Sequence, residues 1–150
     1  MSTARRTAVV AVLPALVLAA LATGCGLVAQ PDSTAWDDHA EQAVSDATSE
    51  VATARLALET ARRERAWSSY TVVLVAQAEE SLGTVQDDLS RLQVPPGRDD
   101  EAARLDALLD EAATAVEDAR SSAVEGRYDD RRVLDALDRV TGRLEDAAGG

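Results

Sequence analysis

The chain has 150 residues, which is the length of a single domain, and it is strongly acidic. Fifteen arginines, with no lysine, stand against 27 aspartates and glutamates, and the formal net charge is −12. A charge of this sign repels nucleic-acid backbones and anionic membrane surfaces, so no nucleic-acid partner is expected. The single cysteine, Cys25, cannot form a disulfide within the chain.

The first 24 residues differ from the remainder in charge and hydropathy. Arg5 and Arg6 precede an apolar stretch over residues 7–21, which Pro14 interrupts. A basic start followed by an apolar segment too short for a comfortable membrane span is typical of a signal peptide. We therefore expect residues 1–24 to be removed. A transmembrane anchor is the alternative, which the proline and the short apolar run disfavour.

Small residues directly precede the cysteine in the segment Leu21-Ala22-Thr23-Gly24-Cys25. This segment resembles the lipobox of bacterial lipoproteins, and with it the chain resembles the small lipoproteins of actinobacteria. The lipobox usually has leucine three positions before the cysteine, where this chain has Ala22. The resemblance implies signal cleavage between Gly24 and Cys25 and acylation of the Cys25 sulfur. It also implies a protein held by its lipid on the extracytoplasmic face of the cell membrane.

The residues after Cys25 are expected to form a short tether and then a helical body. Pro31 and Ser33 favour a flexible tether over residues 25–33. Apolar residues spaced three and four apart predict a helical domain over 34–148. The predicted helices cover about 34–66, 69–93, 99–125 and 129–147. The expected fold is all-α, an antiparallel up-down four-helix bundle, and the alternative is a coiled-coil hairpin completed by dimerisation.

Each predicted helix has an inward stripe made mostly of alanine, valine and leucine. The expected inward residues are Trp36, Ala40, Val44, Ala47, Val51, Ala54, Leu58, Ala61; Leu74, Ala78, Leu82, Val85, Leu89, Leu92; Ala102, Leu105, Leu109, Ala112, Val116, Ala119, Ala123; and Val133, Leu137, Val140, Leu144, Ala147. The β-branched run from Tyr70 to Val75 could form a strand. A helix is expected there, because no second strand-like segment exists to pair with it.

The sequence also predicts where the helices begin and end. The expected N-terminal caps are Ser33 or Thr34, Ser69, and the acids Asp99, Asp100 and Glu101. Gly126 is expected in the left-handed conformation after the third helix. Gly83 indicates either a weak position that is tolerated within the second helix or a close approach of two helices.

No motif for catalysis or metal binding is recognisable in the sequence. A two-iron bundle site needs two histidines, and His39 is the only one. His39 beside Asp37 and Asp38 could bind one divalent ion weakly, but a solvated face near a helix start explains these residues better. No serine or cysteine stands with a base and an orienting group. We expect neither an enzyme nor a bound cofactor or metal.

In an up-down bundle, the turn between helices one and two and the turn between helices three and four lie at the same end. The candidate partner-binding cap at this end consists of Arg62, Arg63, Arg65, Trp67, Tyr70, Arg127, Tyr128, Arg131 and Arg132. Arginine and aromatic side chains are enriched at interaction hot spots, so this cap is expected to bind an envelope protein or an anionic wall polymer. Local pairing of Arg131 and Arg132 with neighbouring aspartates is the alternative explanation.

These features predict a lipid-anchored, extracytoplasmic, non-enzymatic interaction or scaffolding module, and a homodimer stays open as its oligomeric state. The alternative is a helical lipoprotein that binds a small ligand or a metal between its helices. An alanine-rich core argues against a large internal cavity, because small side chains draw the helices together.

Overall fold

The computed structural model of the chain describes residues 32–149. The predictions for the signal peptide, for Gly24 and Cys25, and for the tether up to Pro31 lie outside the described residues. The described part has four α-helices and no strand. The helices are α1 (Ser33–Arg62), α2 (Ser68–Ser90), α3 (Asp99–Val124) and α4 (Arg131–Ala148). They form the predicted antiparallel up-down four-helix bundle, with boundaries at most about four residues from those expected.

The four helices are not equally close to one another. Helix α1 packs against α2 and α4, and α3 packs against the same two helices. Helices α1 and α3 also meet across the bundle, whereas the described residues of α2 and α4 do not meet. The alanines that α1 and α3 bury are Ala43, Ala47, Ala54, Ala57, Ala61, Ala112, Ala115, Ala119 and Ala123. These small side chains allow α1 and α3 to approach each other closely across the bundle. Larger residues, such as Leu82 of α2 and Leu137 of α4, fill the core from the other two helices.

The predicted inward stripes agree with the buried residues in α1, α3 and α4 but less well in α2. Among the predicted inward residues of α1, α3 and α4, the exceptions are Ala40 and Ala102, which are half-buried, and Ala147, which is exposed. Helix α2 buries Thr71, Val75, Ala78 and Leu82. The predicted inward residues Leu74, Val85, Leu89 and Leu92 are only half-buried. Among the described helices, α2 packs against α1 and α3 alone, so only a narrow part of its surface is covered.

The caps of α1 and α2 differ from the predicted ones. Asp32 caps α1, because its carboxylate accepts a hydrogen bond from the backbone N–H of Thr34 at 3.0 Å. The prediction of Ser33 or Thr34 as the cap was therefore wrong by one or two residues. The prediction of Ser69 as the cap of α2 was wrong by two residues, because the helix begins at Ser68. It follows directly on Trp67, whose side chain makes no capping hydrogen bond.

The starts of α3 and α4 show two different ways of stabilising a helix N-terminus. The N-cap residue of α3 is Arg98, without a side-chain capping bond, so the prediction that the three acids cap this helix was wrong. Those acids occupy its first turn, where the helix dipole favours negative charge. Helix α4 follows Asp130, whose carboxylate accepts a hydrogen bond from the backbone N–H of Arg132 at 3.0 Å.

Helix α1 ends at Arg62, four residues before its predicted end, because the chain turns at Glu64. Glu64 has a φ of 56°, in the left-handed region that a glycine usually occupies at this position. The backbone N–H of Arg65 then donates to the carbonyl of Thr60 at 3.0 Å, which closes the helix end. Gly126, with a φ of 70°, holds the same position after α3, as predicted.

Replacing Gly83 by alanine is expected to stabilise the protein by about 1 kcal/mol, the difference in helix propensity between the two residues. Gly83 is exposed in α2, and a Cβ built on it meets no neighbouring side chain or helix within 4 Å. The close helix approach considered from the sequence is therefore wrong. Gly142 in α4 has the same open surroundings and provides a second test. Chemical denaturation measures the change, and an unchanged or lowered midpoint for both variants would contradict it.

Candidate interaction surface

The turn at residues 63–67 and the turn at residues 125–130 lie at one end of the bundle, which we call the hairpin end. All nine residues of the candidate cap belong to this end. The α1–α2 turn and the adjoining helix ends carry Arg62, Arg63, Arg65, Trp67 and Tyr70, and the α3–α4 turn and the start of α4 carry Arg127, Tyr128, Arg131 and Arg132. The up-down topology thus places both groups at the same end.

The hairpin end carries every large hydrophobic side chain that is exposed within residues 32–149. Trp67 is 85% exposed and Tyr70 is 57% exposed. Sequence reasoning missed Leu56, Val73 and Val124, which are also more than half exposed. The third predicted aromatic residue of the cap, Tyr128, is half-buried and packs against the core, so it supports the turn. Exposed apolar residues are normal singly, but their confinement to one end makes this end the candidate interaction surface.

Four of the six arginines of the candidate cap form no ion pair with the described residues. Arg127 forms salt bridges with Glu125 at 2.6 Å and with Asp130 at 4.0 Å. Arg63 lies 3.8 Å from Glu59. Within the described chain, no salt bridge is formed by Arg62, Arg65, Arg131 or Arg132. Local pairing therefore accounts for Arg127 but not for the two arginines that begin α4, and their guanidinium groups are available to a partner.

Charge is divided unevenly along the bundle. Residues 55–73 and 118–138, which are about two helical turns at the hairpin end, carry eight arginines and eight acids. The rest of the described chain carries five arginines and 19 acids, so the whole net negative charge lies there. Like charges on this acidic part repel acidic macromolecules, whereas the hairpin end is neutral. Contact with an acidic partner is therefore least opposed at the hairpin end.

A groove of about 770 Å³ opens at the opposite end of the bundle, between the starts of α1 and α3 and the end of α4. Helix α4 has 18 residues and α1 has 30, so among the described residues no fourth helix covers this part of α1. Its lining includes Trp36, Ala40, Val44, Leu105, Leu108 and Arg104. The alanines of the core are buried, and the groove lies beside the end of α4.

Arg98 forms one wall of this groove. Its guanidinium lies 5.8 Å from the centre of the Trp36 ring, a cation–π geometry, and 2.9 Å from the carboxylate of Asp37. It also pairs with Glu101, and that hydrogen bond is the main cause that raises the pKa of Arg98 above its ordinary value. These contacts join the start of α1 to the start of α3.

The weak divalent-ion site at His39, which the sequence disfavoured, has only part of its ligand set available. Asp37 is engaged by Arg98, while His39 and Asp38 are exposed. Nowhere in residues 32–149 do three or more side chains of the metal-binding types come together. Among the same residues, no helix is long and apolar enough to cross a membrane.

Comparisons with protein-family models, with curated proteins and with solved structures found no match.

Proposed function

We propose that the protein is a lipid-anchored, extracytoplasmic, non-enzymatic interaction or scaffolding module that binds its partner through the hairpin end. The observation that carries this proposal is the meeting of exposed hydrophobic side chains and unpaired arginines at one neutral end of an otherwise acidic bundle. The anchor is the lipid expected on Cys25, which precedes α1 in the chain. Helix α1 has 30 residues and is about 45 Å long, so its far end would project away from the anchored start.

The energetics of these side chains favour an interaction role. An exposed tryptophan such as Trp67 leaves a large apolar surface in water, and covering it contributes about 25 cal/mol per Å². Free guanidinium groups, such as those of Arg131 and Arg132, form strong bidentate hydrogen bonds with carboxylates and phosphates. A partner that offers apolar area beside anionic groups satisfies both. An acidic patch on an envelope protein or an anionic wall polymer is the partner class we propose.

Replacing Arg127, Arg131 and Arg132 together by glutamine is expected to abolish capture of envelope components by the protein in its own membrane. The three positions are exposed, so the fold should be unaffected. The measurement is a pull-down of the full chain from detergent-solubilised membranes, with circular dichroism as the check on folding.

A control removes the same number of positive charges elsewhere in the bundle. It replaces Arg91, Arg104 and Arg139 by glutamine, and these three residues are exposed and lie outside the hairpin end. The control variant should capture the same components as the wild type. Equal capture by both triple variants would show that net charge, and not the hairpin end, governs binding.

The second candidate function is the binding of a small ligand, and the open groove favours it. Its volume lies in the range of small-molecule sites, and Arg104 stands in its lining without a salt bridge in the described residues. Native mass spectrometry of the protein purified from its own membrane separates the two functions. A retained small molecule supports the second, and co-purifying envelope components that require the hairpin-end arginines support the first.

A further inference from the structure

The turn between α1 and α2 holds Trp67 in a fixed position with its ring in water. The carbonyl of Trp67 accepts hydrogen bonds from the backbone N–H and from the hydroxyl of Thr71, at 3.0 Å and 3.2 Å. Thr71 itself is fully buried, so the backbone of Trp67 is tied to the core. Its indole ring is nevertheless the most exposed of the large hydrophobic side chains in the described chain. A large apolar ring presented in this way gains free energy when a partner covers it.

The exposed apolar side chains form a shallow layer at the hairpin end. Tyr70 lies in the first turn of α2, Val73 lies six residues after Trp67, and Leu56 lies six residues before the end of α1. At 1.5 Å per residue, this layer is about 9 Å deep. The thirteen residues from Ala66 to Ala78 include no charged side chain, so the α2 side of the layer holds no charge that would have to leave water.

The depth and the residue types of this layer match the interface of a lipid bilayer. Elements that lie in that interface bury about 5–10 Å of their apolar side in the boundary between headgroups and acyl chains. Tryptophan and tyrosine are enriched at this level, because their rings are apolar and carry one polar group. Trp67 and Tyr70 are the exposed aromatic residues of the described chain, whereas Trp36 is buried and Tyr128 is half-buried.

Positive charge borders the layer. Residues 62–68 and 124–132 carry six arginines and four acids, and two of those acids, Glu125 and Asp130, pair with Arg127. The acidic part of the bundle begins about two helical turns, or roughly 11 Å, from the turns. Charges in physiological salt are screened over about 8 Å. The repulsion expected from the net charge is therefore weakened when the hairpin end meets an anionic surface end-on.

We propose that the hairpin end docks on the interface of a lipid bilayer that contains anionic lipids. The rings of Trp67 and Tyr70 lie among the headgroups, and Arg131 and Arg132 bind lipid phosphates. The inference goes beyond the partner classes proposed above and rests on the hairpin end being the interacting end. A wall polymer offers anionic groups alone, whereas a bilayer also offers the apolar depth that covers Val73.

The test adds vesicles to the helical body, because the proposed anchor would bind vesicles by itself. Residues Pro31–Gly150 form a compact unit with its own core, so this part folds by itself. Trp36 and Trp67 are the two tryptophans, and Trp36 is already buried at the opposite end. A shift of the emission to shorter wavelength therefore reports that Trp67 has left water.

Vesicles of equal parts phosphatidylcholine and phosphatidylglycerol should cause this shift and should co-sediment with the body. Vesicles of phosphatidylcholine alone should bind at least about tenfold more weakly, because they lack the negative surface potential that attracts arginine.

Two double variants make the result specific to the aromatic residues. Trp67→Ser with Tyr70→Ser should weaken co-sedimentation with the anionic vesicles at least about tenfold, because the rings that enter the interface are gone. The control, Gln93→Ser with Ala103→Ser, changes two exposed positions near the opposite end and should bind as the wild type does. Circular dichroism verifies that both variants are folded.

A wild-type body that neither co-sediments with the anionic vesicles nor shifts its emission would overturn the inference. Binding that survives Trp67→Ser with Tyr70→Ser, or that is equally strong on both kinds of vesicle, would also overturn it. The vesicles contain neither protein nor wall polymer, so these results leave the pull-down of envelope components as a separate question, and the two proposals fail independently.

Discussion

Replacing Cys25 by alanine is expected to move the protein from the membrane fraction to the soluble fraction. The proposed anchor is the lipid on the sulfur of this residue, and alanine has no atom to which the lipid can be attached. Each buried methylene of an acyl chain contributes about 0.8 kcal/mol to membrane binding, so loss of the chains removes most of the affinity. Fractionation of cells, followed by intact mass measurement of the purified chain, tests this.

The matched control is Thr23→Ala, two residues earlier, which keeps a small residue before the cysteine and should leave the protein in the membrane. The wild-type mass should correspond to a chain that begins at Cys25 and carries acyl groups. A wild-type protein that still begins at Met1 and has an unmodified sulfur would disprove both the anchor and the proposed location.

Replacing Leu58 by alanine is expected to destabilise the helical body by about 3 kcal/mol, within the range for large-to-small changes in a closed core. Leu58 is 1% exposed and belongs to the hydrophobic core cluster. It lies on α1, which meets α3 across the bundle. The loss combines the transfer of three carbon atoms from the core to water with the cavity that the close-packed helices cannot fill. Urea denaturation should show a lower midpoint at an unchanged slope.

Leu56→Ala is the matched control on the same helix. Leu56 is 63% exposed, so the same substitution should cost no more than about 0.5 kcal/mol in dilute solution. Equal losses at the two positions would contradict the orientation of α1 in the bundle.

The sequence predicted the packing of α1, α3 and α4 because each of these helices has one apolar stripe against polar neighbours. In α2 the residues around Thr71 are uncharged on every side, so the pattern does not indicate which of them face inward. The prediction chose Leu74 over Thr71, and the structure buries the threonine, whose hydroxyl donates to the backbone carbonyl of Trp67 at 3.2 Å. Glu64 gave no signal either, since a glutamate in the left-handed conformation is set by the surrounding turn.

The candidate surface was predictable only where topology determined it. Two turns at one end of an up-down bundle bring Trp67 and Arg131 to that end, whatever the details of packing. Leu56 lies about 200° around α1 from Leu58, and the predicted inward stripe excluded it, so its exposure agrees with the helical pattern. Its position among the exposed hydrophobic residues of the hairpin end was not recognised from the sequence. The charge-free run from Ala66 to Ala78 was the available signal, and it points to the same corner of the bundle.

The shortness of α4 has a consequence for the order in which the bundle opens. Beyond the end of α4, the first turns of α1 are held mainly by α2, α3 and the Arg98 contacts. Fewer packed neighbours give a lower free energy of local opening, so fraying should start there and travel towards the opposite turns. The start of α1, which follows the proposed anchor in the chain, can thus lose structure while the proposed interaction surface at the hairpin end keeps its shape.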